Sequence, residues 1–271
     1  MKPLSTMPVG VRRAIKGVFT DIDDTLTTSG RLTAEAYTAM ERLQTAGIAV
    51  VPITGRPAGW CDHIARMWPV DGVVGENGAF YFHYDRQSRR MIRRYVDGDD
   101  VRTINRERLA ALGRRIVADV PGAAISADQM YRETDLAVDF SEDVTPLPPE
   151  SIDRIVAILT GAGVTAKVSS IHVNGWFGNY DKLTMSKAFA ADCLGIDLDT
   201  AEQDFVFTGD SPNDGPMFEF FRNSVGVANV RDFEDRLTSP PVYITRGEGG
   251  AGFSEVANML IEAKSKTEGK A

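Results

Sequence analysis

Gly17-Val18-Phe19-Thr20-Asp21-Ile22-Asp23-Asp24-Thr25-Leu26 is the stretch whose reading decides the fold. Its first half is small, branched and aromatic, the composition of a strand buried on both faces, and its second half turns abruptly to carboxylates and hydroxyls. An amphipathic helix is expected next, over residues 33–46, followed by a second apolar strand over 48–53. Pro57 then stands where the first turn of another helix should begin, because its fixed φ and missing N–H are tolerated there. Val73 and Val74 lead through the turn Glu76-Asn77-Gly78 to an aromatic strand over residues 80–84. Apolar strands alternating with helices predict an α/β fold with a parallel sheet covered on both faces, a Rossmann-like core.

Beyond Tyr84 the rhythm changes. The pattern predicts a strand over 91–96, a helix over 103–119, strands near 123 and over 135–140, a helix over 149–162, and strands over 164–168 and 171–177. This is an α+β unit with its own sheet, expected as an inserted domain over residues 86–178 between core segments 1–85 and 179–271. The core rhythm resumes with a helix over 182–194, a strand over 205–208, strands near 225–228 and 242–245, and a closing helix over 253–263. The tail beyond Lys264 reads as frayed.

At 271 residues, 43% hydrophobic and 25% charged, the chain has the size and composition of a folded globular protein. No apolar run approaches the roughly 20 residues that span a bilayer. Residues 1–16 lack the apolar stretch of a secretory signal, so a cytoplasmic protein without a membrane partner is expected. With 38 acidic against 30 basic residues the net charge is −8, which disfavours non-specific nucleic-acid binding. The cluster Arg89, Arg90, Arg93 and Arg94 reads as the solvated face of a strand pair. Cys61 and Cys193 have no metal or redox spacing and read as reduced packing residues. The sequence does not choose between monomer and homodimer.

Asp21, Asp23, Asp24 and Thr25 fall at the carboxyl edge of a parallel sheet, where ligands bind in open α/β folds. Asp and Thr in such a place serve equally as caps and turns. The run Phe205-Val206-Phe207-Thr208-Gly209-Asp210-Ser211-Pro212-Asn213-Asp214 again sets carboxylates just past a buried strand. Carboxylates that converge on one edge repel, and either protonate or share a cation. Oxygen ligands of this kind suit Mg2+, which is commonly held by one or two carboxylates and a substrate phosphate. Asp21 and Asp210 are the first choices as ligands; Asp214 and Asn213 could bind directly or orient metal-bound water. Thr54-Gly55-Arg56-Pro57 joins a hydroxyl, a flexible glycine and free amides at a helix start, a natural phosphate cradle. Lys182 or Lys187 could neutralise phosphate oxygens as charge develops, although a helical lysine is more often simply solvated.

In order along the chain, these four sets resemble the motifs of the haloacid dehalogenase superfamily phosphatases: D-x-D-x-T, a Thr or Ser after a strand, a Lys, and G-D-x-x-x-D. The likeness runs over nearly the whole chain. An α+β insert between the second and third motifs, the Asn77-Gly78-Ala79 turn and the Gly209-Asp210-Ser211-Pro212-Asn213-Asp214 run are similar to subclass IIB, which includes sucrose-phosphate phosphatase, mannosyl-3-phosphoglycerate phosphatase and general sugar phosphatases. The resemblance implies Asp21 as the nucleophile that forms an aspartyl-phosphate, Asp23 as general acid and base, Thr54 and Lys182 on the phosphate, and Mg2+ among Asp21, Asp23, Asp210 and Asp214. Lys182 is preferred to Lys187 for its distance from Leu194-Gly195-Ile196. Asp24 departs from the glycine that many members carry and is expected to serve loop geometry. The expected activity is Mg2+-dependent hydrolysis of a small, sugar-like phosphomonoester. A phosphosugar mutase and a non-catalytic ligand-binding module are the alternatives; the latter requires a damaged acidic site, and every expected acid is present.

The insert would close over the core as a cap, exclude water and select the substrate. Candidate cap contacts are Arg132, His172, Asn174 and Trp176, the last three on one face of their strand by the period of two. Gly55, Arg56, Asn77 and Asn213 are expected near the phosphate.

Overall fold

The computed structural model describes residues 1–169 and 171–268. Gly17–Asp21 lies in the middle of a large sheet. Across it run Lys2–Pro3, Tyr243–Ile244, Ser224–Gly226, Phe205–Gly209, Gly17–Asp21, Ala49–Ile53 and Val73–Gly75, all parallel. Phe80–Asp85 and Arg90–Tyr95 follow in antiparallel register. Thr20 pairs with Thr208 and Asp21 with Ile53, so the carboxyl ends of the three central strands coincide. That register brings three distant segments to one edge.

Alternate side chains feed the two faces, as a doubly covered sheet requires. Val18, Val50 and Val206 pack on one side with Met40, Leu43, Val256 and Leu260. Phe19, Val51, Phe205 and Phe207 pack on the other with Met185, Phe189 and Phe221. The helix Ala34–Thr45 begins where Thr33 accepts a hydrogen bond from the Ala36 N–H at 3.2 Å. Pro57 occupies the N-cap of Ala58–Met67 rather than a position inside its first turn.

The inserted domain is a second, antiparallel sheet ordered Thr165–Val168, His172–Trp176, Leu136–Asp139, Ala124–Ile125. Its helices Asp99–Asp119 and Pro149–Gly161 cover one face, burying Leu109, Ile116, Val138, Ile155, Leu159 and Val173. The opposite face carries His172 and Asn174.

One expected boundary moves. The strand expected at 91–96 as part of the insert is Arg90–Tyr95, which pairs with Phe80–Asp85 along the edge of the large sheet. A strand separated from its neighbour by a short turn finds its hydrogen-bond partner there, so the separate sheet begins beyond Tyr95 and not near residue 86. The closing helix spans Gly249–Glu268 and continues past Lys264, where fraying was expected; residues 269–271 lie outside the described chain.

Candidate active site

Lys182 is the centre of the charged edge. Asp181 caps its helix by accepting from the Thr184 N–H at 2.8 Å, which aims the first helical residue at the sheet. The buried Lys182 ammonium donates to Asp21 Oδ1 at 2.6 Å and to Asp214 Oδ1 at 2.8 Å. Asp214 Oδ2 accepts from the Asp210 and Ser211 N–H groups at 3.1 and 3.4 Å. Asp210 Oδ1 in turn accepts from Thr25 Oγ1 at 3.1 Å. A Cβ on Gly209 would stand 2.5 Å from Asp214 Oδ2, so only glycine lets this carboxylate fold back over the strand end. Lys187 points elsewhere, pairing with Asp199 at 2.6 Å beside the Phe220 ring. Of the two lysines, Lys182 is the one that meets the acidic edge.

Burial pushes the Asp21 carboxyl up to about 8 against the pull of Lys182, with Asp214 and Asp23 adding to the rise. Burial also lifts Asp210 well above the ordinary carboxylate range, helped by Asp214 and Asp21. For Lys182, burial alone would lower the pKa, but Asp21 and Asp214 outweigh it and hold the ammonium charged. One oxygen from each of Asp21, Asp210 and Asp214 lies within 4.8 Å of the others. Three buried carboxylates against one ammonium leave a negative surplus that only a proton or a hard cation can offset. The donor set, all oxygen, fits a divalent ion of the magnesium type.

Asp23 is not part of that acid triad. Its carboxylate accepts from Arg56, from Nε at 3.1 and 3.2 Å and from Nη2 at 2.9 Å. The expected metal role of the Asp23 carboxylate is therefore corrected: an arginine fork, with two donor edges matched to a carboxylate, has captured it. Arg56, expected beside the phosphate, acts instead as this clamp and lies over the Trp60 ring at 4.7 Å. Asp24 adopts φ +56°, which explains why a glycine would serve there, and donates its N–H to Thr27 Oγ1 at 3.0 Å. Thr54 is fully buried, and its hydroxyl accepts from the Arg56 N–H at 3.0 Å. Gly55, not Thr54, forms the cavity wall at that point.

Core and cap enclose a cavity of about 50 Å³. Asp21, Asp23, Asp210, Asn77 and Asn213 reach it from the core, and Arg132, His172 and Asn174 from the cap. The Asn77 Nδ2 group is buried without a partner. Asn213 Oδ1 accepts from Ser211 Oγ at 2.6 Å. Asn174 donates to Asp135 Oδ2 at 3.0 Å. His172 Nε2 lies 2.8 Å from Glu142 Oε2, inside ion-pair distance but off the line of a good hydrogen bond. Burial lowers the His172 pKa against the opposing pull of Glu142.

Two expected cap contacts change character. Arg132 touches the cavity but is committed: it donates to both oxygens of Asp128, to Asp135, and to the Gly55 carbonyl at 2.9 Å. It is a strut between cap and core. Trp176 shares the predicted face, but at the far end of the strand, where it is sealed and stacked on Tyr180 at 5.7 Å away from this cavity. Packing a large ring under the cap gains more than exposing it.

Sequence reasoning passed over three contributors. Ser169 and Ser211 also line the cavity. Glu76, read only as part of a turn, is wholly buried and accepts from the N–H groups of Ala58, Glu133, Thr134 and Asp135 and from the Thr134 hydroxyl. Four of those five donors belong to the cap. No sequence pattern announces this role: Glu76, Asn77 and Gly78 run through consecutive positive φ values of 42°, 57° and 104°, which only the structure reveals, and a charged residue held there needs strong local partners. A Cβ on Gly78 would fall 2.0 Å from the Asp181 carbonyl, so this turn also lets the Lys182 helix approach.

Residues 18–135 match the model of the haloacid dehalogenase-like hydrolases. The chain is similar to that family over this stretch. The protein is an enzyme of the phosphatase class. It is 27% identical over 243 residues to a phosphoglycolate phosphatase of Methanoculleus marisnigri, covering 89% of this chain and 94% of that protein. It is 28% identical to a phosphoglycolate phosphatase of Haloarcula marismortui over 87% of this chain and 92% of that one. In fold the hydrolase is similar to the Thermoplasma acidophilum 0175 structure, with a TM-score of 0.68, 17% identity, and coverage of 92% of this chain and 99% of the other. It is also similar to the sucrose-phosphatase of Synechocystis sp. PCC6803, with a TM-score of 0.62, 16% identity, and coverage of 92% and 98%. The place of its insert, between the Thr54 and Lys182 motifs, accords with subclass IIB. No described helix of the hydrolase is long and apolar enough to cross a membrane.

Proposed function

We propose that the enzyme is a Mg2+-dependent phosphomonoesterase acting on a small phosphorylated metabolite in the cytoplasm, with Asp21 as nucleophile. The observation that carries this reading is the Lys182 bridge between Asp21 and Asp214, with Asp210 beside them and Asp23 two residues along. Lys182 occupies Asp21 Oδ1, which leaves the other oxygen to attack phosphorus. As that P–O bond forms, the ester P–O bond breaks and Asp23, which must enter this step protonated with Arg56 still beside it, gives its proton to the leaving oxygen. Water then attacks the aspartyl-phosphate, Asp23 takes the proton back, and inorganic phosphate leaves. Asp21, Asp210 and Asp214 would hold the ion, which when bound supplies positive charge against the oxyanions of a loose transition state. Lys182 and the amides near Gly55 serve the phosphate oxygens from the protein side.

Asp21→Asn tests the core of this reading: hydrolysis of any phosphate ester should be abolished while the protein stays folded, and retained hydrolysis would sink it. Chelation should stop turnover and added Mg2+ restore it. Release of free phosphate, rather than its appearance on another hydroxyl, separates hydrolysis from mutase chemistry.

The cap governs choice of ester. A sugar-like substrate is supported by the polar cap face of His172 and Asn174. A more compact ester, of the kind of phosphoglycolate, is favoured by the names of the relatives.

A further inference from the structure

Glu142 lies on the cap loop that follows the strand Leu136–Asp139, outside every motif of the reaction. Its two carboxylate oxygens face different partners. Oε1 accepts from Arg56 Nη1 at 3.1 Å, and Oε2 faces His172 Nε2 at 2.8 Å. The loop that presents it is pinned, because Asp139 accepts from the N–H groups of Ser141, Glu142 and Asp143 at 2.8–2.9 Å. Arg56 spends its Nε and Nη2 edge on Asp23 and its Nη1 on Glu142, with Asp128 at 3.9 Å beyond. Both of these outer acids belong to the cap. A chain of close polar contacts therefore runs from His172, at the substrate cavity, past Glu142 to Arg56, and by hydrogen bonds from Glu142 through Arg56 to Asp23.

The geometry points to Glu142 as a positioning residue that couples cap closure to the alignment of Asp23. With the cap docked, Glu142 fixes one end of the guanidinium and Trp60 supports its face, so the other end presents Asp23 in one orientation. With the cap withdrawn, Arg56 keeps Asp23 but loses the partner that sets its own angle. Proton transfer to the leaving oxygen is then competent only over a captured substrate, and water entering an open site meets a misaligned base. Neither the family likeness nor the triad of acids assigns Glu142 a part. The inference rests on the role of Asp23 as general acid proposed above.

The test compares an alkyl phosphate, whose leaving alkoxide must be protonated, with p-nitrophenyl phosphate, whose leaving phenolate needs little help. Glu142→Ala should lower kcat on the alkyl ester about tenfold, a part of the 10²–10⁴ available to general acid–base catalysis, while KM moves less than about twofold. On p-nitrophenyl phosphate the pre-steady-state release of nitrophenolate, which reads the first step without the Asp23-assisted attack of water, should change less than about threefold. Glu142→Gln, which still offers an oxygen to Arg56, should recover most of the loss. Glu142→Ala in an Arg56→Ala background should add almost nothing, since the path is already cut. Equal losses on both esters, or a rise in KM alone, would overturn the coupling. Asp23→Asn supplies the control: if it fails to discriminate between the two esters, the general-acid reading falls and the coupling with it; if it discriminates and Glu142→Ala does not, only the coupling falls.

Discussion

Lys182 holds together a cluster that would otherwise repel itself, so its removal should be felt first in chemistry. Lys182→Met keeps the length of the side chain and leaves Asp21 and Asp214 facing one another without a cation. Turnover at saturating substrate should fall at least about 10²-fold, the scale of losing one preorganised charge at a developing oxyanion. Steady-state kinetics on the folded variant checks it. Asp139 gives a second, quieter prediction. Burial would raise its pKa, but three backbone N–H donors outweigh burial and hold it below the ordinary value. A carboxylate with a depressed folded pKa stabilises the fold above its unfolded value and loses that contribution as pH falls through the folded one. Asp139→Ala should therefore cost about 1–3 kcal/mol at pH 6, and the gap to the native chain should close below about pH 4. Denaturant unfolding across pH reads both. At this scale Asp21, Asp210 and Lys182 were legible because each stands at the end or start of a strongly patterned element. Glu142 was not, because a carboxylate in an irregular loop carries no period, and its meaning comes wholly from a partner 86 residues away.

Elements meet where Glu76 reaches across from core to cap. The strained turn at Glu76 and Asn77 is sustained because its carboxylate collects one core amide and four cap donors. Glu76→Ala strands those donors between two packed domains, at a cost of about 1–3 kcal/mol for each group left dry. Hydrogen exchange should accelerate at Glu133, Thr134 and Asp135 while Val18, Phe19 and Val206 keep their protection, because the core strands do not depend on the tether. Uniform loss of protection across both domains would refute this division. The elements themselves were easy to foresee, since period two and period 3.6 mark buried strands and helices directly. The allegiance of Arg90–Tyr95 was not, for alternation says that a residue run is a strand and which face it buries, but not which sheet it joins. Trp176 shows the same limit from the other side: it shares the face of His172 and Asn174, yet its position along the strand stacks it on Tyr180, apart from the cavity those two line.

At the scale of the whole molecule, the closed cap and the small cavity become one argument. The cap is held to the core by Glu76, by Arg132 on the Gly55 carbonyl and by Glu142 on Arg56, three polar contacts spread around the cavity rim. Beside the acids lies about 50 Å³ of room for the centres of water-sized groups, in a cleft that opens to solvent. If a hexose ring makes the cap retreat, those contacts break together, each worth about 1 kcal/mol or more where a charge is involved. Binding energy from a large leaving group would be consumed in holding the cap open, and water would reach the aspartyl-phosphate from the wrong side. The catalytic efficiency on phosphoglycolate should accordingly exceed that on a hexose 6-phosphate by at least about tenfold, with the difference carried more by kcat than by KM. Glu76→Ala should narrow the gap by easing the cap outward, raising the hexose ester and lowering the compact one. Kinetics of both esters on both proteins decides the matter: a native preference for the hexose ester would mean that the reacting enzyme is more open than the closed structure, and that the polar face of His172 and Asn174 selects sugars after all.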